Sequence, residues 1–271
     1  HDLSSLRVLA STGEPWNPEP YRWFFEEVGK GALPIINLSG GTEVGACFLS
    51  PHPISPLKPC SLRGPALGMD VAVYRPDGTP AGPGEVGELV CRQPWPAMTR
   101  GLRGDPERYL DAYWRRFPGV WTHGDWASVD EDGFWFLHGR SDDTMNVAGK
   151  RLGPAEVESV LTLDTRVSES AVVGVPHEVK GEAIWCFVVL RPGVEGDGTL
   201  AEELRSLVAE HLGPAFRPGR VLFVPELPRT RSAKILRRAI RATVAGEDPG
   251  DLSSLENPTA IEAVRAAAAS G

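Results

Sequence analysis

The sequence predicts an α/β fold followed by a small α+β fold. Three patterns carry that expectation. Residues 3–50 run strand, helix, strand; residues 60–140 are short strands separated by turn chemistry; and after residue 141 strands alternate with helices. The expected architecture is the remnant of a large α/β domain with a β-barrel-like subdomain, followed by a small C-terminal α+β domain. At 271 residues with 41% hydrophobic content, the chain has material for one large or two ordinary domains and their cores.

In the first block (1–59), residues 6–10 form an apolar run with strand character. Residues 18–29 place Tyr21, Phe24, Phe25 and Val28 at helical spacing, and 33–38 make a second strand, which together read as a βαβ unit. In the second block (60–140), strands are expected at 70–75, 86–91, 126–129 and 133–137. Pro76-Asp77-Gly78 and Asp132-Gly133 supply turns between them, the latter a strong hairpin signal, and the sum suggests a small β-barrel or curled sheet. Residues 141–143 are the connector. The third block (144–247) has strands at 171–175, 184–190 and 220–224 and helices at 154–161, 200–212 and 233–244, an ordinary domain size. The Ala- and Ser-rich remainder (248–271) is expected to be a fraying tail.

Composition narrows the function classes. The net charge of −8 is diffuse, with no basic block, so neither nucleic acid nor an anionic membrane is an expected partner. Cys47, Cys60, Cys91 and Cys186 are widely spaced with no CxxC pair, which argues against zinc and against a disulfide framework and suits a reducing, cytoplasmic setting. No apolar run reaches the roughly 20 residues of a spanning helix, so no membrane insertion and no leader are expected. The first residue is His1, directly before a strand-like run, and an upstream part of the protein is expected.

The polar residues of 121–154 concentrate between two aromatic-rich strands. Pairing across Asp132-Gly133 puts Asp125 and Arg140 on neighbouring strand ends. A carboxylate there can accept both hydroxyls of a ribose diol, and a guanidinium offers a planar fork to the same sugar or a phosphate. A surface hairpin with solvated charges is the plainer alternative. Thr42-Glu43, after a strand and two glycines, suits either a nucleotide-borne cation or a helix N-cap with a first-turn acid. Lysine is scarce, at Lys30, Lys58, Lys150, Lys180 and Lys234, the other basic residues all being arginine. Lys234, set among Arg229, Arg231, Arg237 and Arg238, therefore stands out as a position that favours a compact ammonium over a fork, the alternative being a solvated basic helix start.

Five ordered motifs resemble those of the AMP-forming acyl-CoA synthetases, within the adenylate-forming superfamily that includes luciferases and peptide-synthetase adenylation domains. They are SSLRVLASTGEPWNPE (4–19), SGGTEVG (39–45), WTHGD (121–125), GRSDDTMNVAGKRL (139–152) and PRTRSAKILRR (228–238). The run AGEDPGDLSSLENP (245–258) is similar to the tail of the acetyl-CoA synthetase branch. The resemblance implies a carboxylic acid–CoA ligase using ATP, Mg²⁺ and CoA: acid and ATP form acyl-AMP and pyrophosphate, then CoA displaces AMP. It assigns Gly13, Glu14 and Pro15 to the adenine loop, and Asn37, Gly41, Thr42, Asp125, Arg140, Asn146 and Arg151 to ATP or AMP. Glu43 takes Mg²⁺, Thr42 and Lys234 act with Glu43 at the reacting phosphate, Asp142 is the hinge, and Gly149 faces CoA. Lys234 is also a candidate for acetylation.

The same resemblance places the family's phosphate loop upstream of residue 4, and neither GxxxxGK nor GxGxxG follows any strand-like run here. The family usually has Gly where this chain has Ala233, a stiffer residue before the lysine. Acetate-specific members close their acyl pocket with a tryptophan at the position of Gly40, so an acid larger than acetate is expected, in the orbit of fatty acid metabolism. Adenylation for a carrier-protein thiol, or a catalytically incompetent AMP-binding or regulatory fragment, are the alternative readings.

Overall fold

Residues 1–52, 54–179 and 181–270 are described in the computed structural model, with the side chain of Arg151 also outside that set. The chain divides after Asp142 into two units, His1–Asp142 and Asp143–Gly271.

In the first unit, β1 (Leu9–Ser11) and β2 (Ile35–Asn37) pair in parallel, joined by α1 (Pro18–Trp23) and one wide turn, Phe24–Val28. Pro18 suits the first helical turn, where its missing N–H costs nothing. Tyr21 of α1 packs on Leu9 and Ile35, as the spacing of aromatic residues requires. The wide turn, closed by Gly29 N donating to the Phe24 carbonyl (3.0 Å), interrupts the single helix expected over 18–29. Next comes a tight hairpin of β3 (Ser39–Gly41) and β4 (Ala46–Leu49).

Four antiparallel strands follow, in the order β5 (Val71–Tyr74), β6 (Gly87–Cys91), β7 (Trp121–Val129) and β8 (Trp135–Arg140). α2 (Pro106–Tyr113), not anticipated from sequence, is capped by Asp105, whose carboxylate accepts from Arg108 N (3.0 Å). It lays Tyr113 flat on Trp121, with ring centroids 4.1 Å apart. Phe48 of β4, Leu62, Leu89, Trp95, Trp121 and Trp135 share one core, which ties the β3–β4 hairpin to the sheet. The sheet is open: among the described residues β5 and β8 remain its two edges, correcting the β-barrel-like expectation. Four strands are too few to complete the tilt and stagger that closure needs.

In the second unit, a short hairpin of β9 (Met145–Val147) and β10 (Lys150–Leu152) leads into α3 (Pro154–Leu161). The long strands β11 (Val167–His177) and β12 (Gly181–Leu190) pair antiparallel, and β13 (Arg220–Phe223) runs parallel to β12 after α4 (Gly198–Leu212). Alternation along β11 sends Val172 into a core with α3 and α4, and Ala171 and Val173 into a second core on the opposite face. That second face is covered by α5 (Arg237–Ala245) and α6 (Thr259–Ala269).

Two expectations are corrected here. The segment 248–271 does not fray throughout, because α6 turns Ala260, Ile261 and Val264 to one face and buries them. The helix expected over 233–244 begins only at Arg237, since residues 229–235 close on themselves as a hairpin.

Candidate active site

A cluster of charged side chains forms where the turn between β3 and β4 meets β7. The turn is held from below: Trp95 Nε1 donates to the Val44 carbonyl (2.7 Å) and Thr99 N to the Glu43 carbonyl (3.1 Å). Phe48 meets the His123 ring edge-on, centroids 4.8 Å apart. Consequently Glu43 Oε1 lies 3.8 Å from His123 Nδ1, and Asp125 Oδ2 lies 3.4 Å from His123 Nε2. The buried imidazole stands between two partly exposed carboxylates that are far apart in sequence.

Arg140 faces Asp125 across the β7–β8 register, with Nη1 3.7 Å from Asp125 Oδ1. Its fork is bidentate on Asp142, Nε to Oδ1 at 2.9 Å and Nη2 to Oδ2 at 3.1 Å, while Nη1 donates to the His123 carbonyl (3.2 Å). Asp142 is therefore an exposed but ion-paired residue rather than a simple solvated turn. Beneath this, Glu88 is fully buried in β6, ion-paired with Arg116 and accepting from Ser141 Oγ (2.9 Å). Burial pushes its carboxyl above the usual range, against the pull of Arg116 and Ser141.

Two acceptor carboxylates beside a guanidinium can hold a diol and a cation. Among the described residues no three His, Cys, Asp or Glu side chains are grouped to hold a metal by themselves. Glu43 alone suits a Mg²⁺ that brings phosphate and water oxygens with it.

The other expected residues fall as follows. Gly13, Glu14 and Pro15 form the loop after β1, with Gly13 at φ +101°. Asn37 ends β2 and is buried, its Nδ2 donating to the Ser61 carbonyl (3.2 Å), so its amide serves the fold. Gly41 lies under the Glu43 carboxylate, which a side chain there would push aside, and Thr42 is exposed at the tip of the hairpin. At Gly40 a Cβ would run into the Ala46 carbonyl oxygen of the paired strand.

In the second unit, Asn146 and Arg151 are register partners in the β9–β10 hairpin. Asn146 N donates to Glu182 Oε2 (2.6 Å), and the Arg151 side chain lies outside the described residues. Ala148 and Gly149, at φ +52° and +77°, make the two-residue turn that such hairpins favour. Lys234 is exposed at the end of the 229–235 hairpin, preceded by Ala233 at φ +63°, a left-handed position that glycine would occupy without strain.

Two residues that sequence reasoning passed over are His123 and Glu88. The first sat inside a quoted motif, and its role depends on Glu43 lying alongside. The second could have been noticed as an acid inside the apolar run GELVC.

A model of the AMP-binding enzyme family matches residues 1–102, and one of the AMP-binding enzyme C-terminal domain matches 156–234. The chain is 44% identical over 270 residues to an acetyl-coenzyme A synthetase of Pyrobaculum aerophilum, covering 98% of this chain and 40% of that relative. It is 45% identical over 276 residues to one of Mycolicibacterium smegmatis, covering 98% and 29% respectively. Among solved structures it is similar to an acetoacetyl-CoA synthetase from Streptomyces lividans, with TM-score 0.84 and 32% identity over 98% of this chain and 41% of that one. It is also similar to the anthranilate CoA ligase AuaEII in complex with anthranoyl-AMP, with TM-score 0.75 and 29% identity over 89% and 45% of the two chains. The chain spans less than half the length of each of these relatives.

Proposed function

This chain belongs to the AMP-binding enzyme family, and we propose that it supplies part of an ATP-dependent carboxylic acid–CoA ligase that works through an acyl-adenylate. The observation that carries the reading is the convergence of Glu43, His123, Asp125 and Arg140, an acceptor-rich cluster with one guanidinium beside it. In the proposed first half-reaction an acid oxygen attacks the α-phosphorus of ATP and pyrophosphate leaves. Asp125 and Arg140 hold the ribose, Gly13, Glu14 and Pro15 flank the adenine, and Thr42 meets the α-phosphate. Glu43 takes the nucleotide's Mg²⁺, which neutralises phosphate charge when bound. Lys234 stabilises charge on the reacting oxygens. In the second half-reaction the CoA sulfur attacks the acyl carbon and AMP leaves, with Asp142 as hinge and the Gly149 turn facing CoA.

The acid we propose is larger than acetate. No side chain projects from residue 40, and its backbone pairs too closely with Ala46 for an indole to be added without a shift. A medium-chain, branched or cyclic acid fits that reading.

The test is made in the complete enzyme, as the split between half-reactions. Lys234→Ala should lower acid-dependent ATP–pyrophosphate exchange by about 10² to 10³, the usual loss for one electrostatic contact in a dry site. Thioester formation from supplied acyl-adenylate should stay close to the parent rate. Equal loss in both halves removes the lysine from this role. A second reading, an AMP-binding module without turnover, is favoured by the family's phosphate loop having no counterpart among the motifs of residues 4–238. Nucleotide binding without pyrophosphate release would select it.

A further inference from the structure

The hairpin that carries Lys234 is small. Arg229 bridges Ile235, Thr230 N donates to the Lys234 carbonyl (2.9 Å), Ala233 N to the Thr230 carbonyl (2.8 Å), and Leu236 N to the Pro228 carbonyl (2.9 Å). A two-stranded ribbon of this length is marginal on its own. Its outer strand, however, is paired on the other side by residues that follow α5. Thr230 bridges Leu255, Glu256 N donates to the Arg229 carbonyl (2.8 Å), and Arg229 N donates to Asn257 Oδ1 (2.9 Å). Asn257 Nδ2 in turn donates to the Leu227 carbonyl (3.0 Å) and to Glu226 Oε2 (2.8 Å), just before the hairpin begins. The far end of the segment is held by Arg238, whose Nη1 and Nη2 donate to the Pro249 (2.7 Å) and Asp251 (2.5 Å) carbonyls. Thr259 Oγ1, at the start of α6, donates to Glu226 Oε1 (2.9 Å) and closes the circuit.

We propose that residues 248–258 are a strap that turns the Lys234 hairpin into a three-stranded ribbon, with Asn257 as the positioning residue for the lysine. Three of the four hydrogen bonds available to a carboxamide are spent there. Two of them bracket residues 227–229, from which the lysine is reached within one turn of chain. The strap thus removes conformational freedom from the lysine before any substrate arrives, which is where positioning accelerates a reaction. This inference rests on the role of Lys234 proposed above.

The experiment uses Asn257→Ala in two settings. In the complete enzyme, adenylate formation should fall roughly tenfold or more, as loss of three part-buried hydrogen bonds beside a functional loop implies, while thioester formation from supplied acyl-adenylate is unchanged. In the 271-residue chain, the Arg229 and Glu256 amides should exchange faster with solvent and trypsin should cut sooner after Arg231 and Lys234, with the β11–β12 amides unaffected. Arg238→Ala, which frees the other end of the strap, is expected to give the same pattern and serves if Asn257→Ala does not fold. Unchanged Arg229 exchange overturns the strap. Faster exchange with an unchanged adenylation rate, or parallel loss in both half-reactions, overturns the positioning role. Lys234→Ala, run alongside, separates the two ideas: if it spares pyrophosphate exchange, the lysine assignment fails and the amide-exchange result alone decides the strap.

Discussion

At Gly40 the close approach of Ala46 and the proposed acyl pocket make opposite demands on a substitution. Gly40→Trp in the complete enzyme should move preference back toward acetate or propionate. Each buried methylene is worth about 0.8 kcal/mol, so a shift of about 2–3 kcal/mol in relative kcat/KM is expected between acetate and acids three or four carbons longer. The absolute rate should fall as well, because the backbone must give way. The informative quantity is thus the ratio, and a parent that already prefers acetate to butyrate and longer acids defeats the pocket argument. Glu88 offers a test by pH. Its folded-state carboxyl is raised by burial above the ordinary 4.5, so the folded protein binds that proton more tightly than the unfolded chain. Its contribution to stability is complete below 4.5 and is lost as pH rises through the raised value. Urea unfolding from neutral pH downward should therefore show the parent gaining stability relative to Glu88→Gln, and the opposite trend would contradict the burial argument.

Among the elements, α6 is the one whose status the structure changed most. Ile261 of α6 is buried, so Ile261→Ala should destabilise the second unit by about 2–4 kcal/mol, read as a lower urea midpoint at constant m-value. A change below about 0.5 kcal/mol, typical of exposed positions, would return this segment to a fraying tail. The helix was hidden in sequence because alanine carries little hydrophobic contrast, and only Ile261 and Val264 mark its inner face. Elements with strong apolar periodicity, such as 154–161 and 200–212, were legible from spacing alone. The β3–β4 hairpin was not, since Ser39, Gly40 and Gly41 have no strand propensity and are held there by the partner strand and the core under Phe48.

For the molecule as a whole, both cores of the second unit are built from residues within 143–271. That piece expressed alone should unfold in one cooperative transition, and a broad, non-cooperative melt would show that it depends on the rest of the chain. The 271-residue chain by itself should not support acid-dependent pyrophosphate exchange, because the phosphate loop that the family resemblance implies is not among its five motifs. Exchange above background by the purified chain would refute this.

The order of five motifs and the shift from strand–helix–strand to strand-rich to alternating patterns were enough, without coordinates, to determine the fold class and the family. Both are written in short runs whose meaning is local: turn residues, apolar spacing and the residues of each motif. Tertiary structure alone decided which distant runs meet. It set His123 between Glu43 and Asp125, engaged Arg140 with Asp142, left the four-stranded sheet open, and laid residues 255–257 along the Lys234 hairpin. Each of these depends on register and on which face of an element turns inward. Those are set by the packing of a whole core, and no local pattern of residues encodes them.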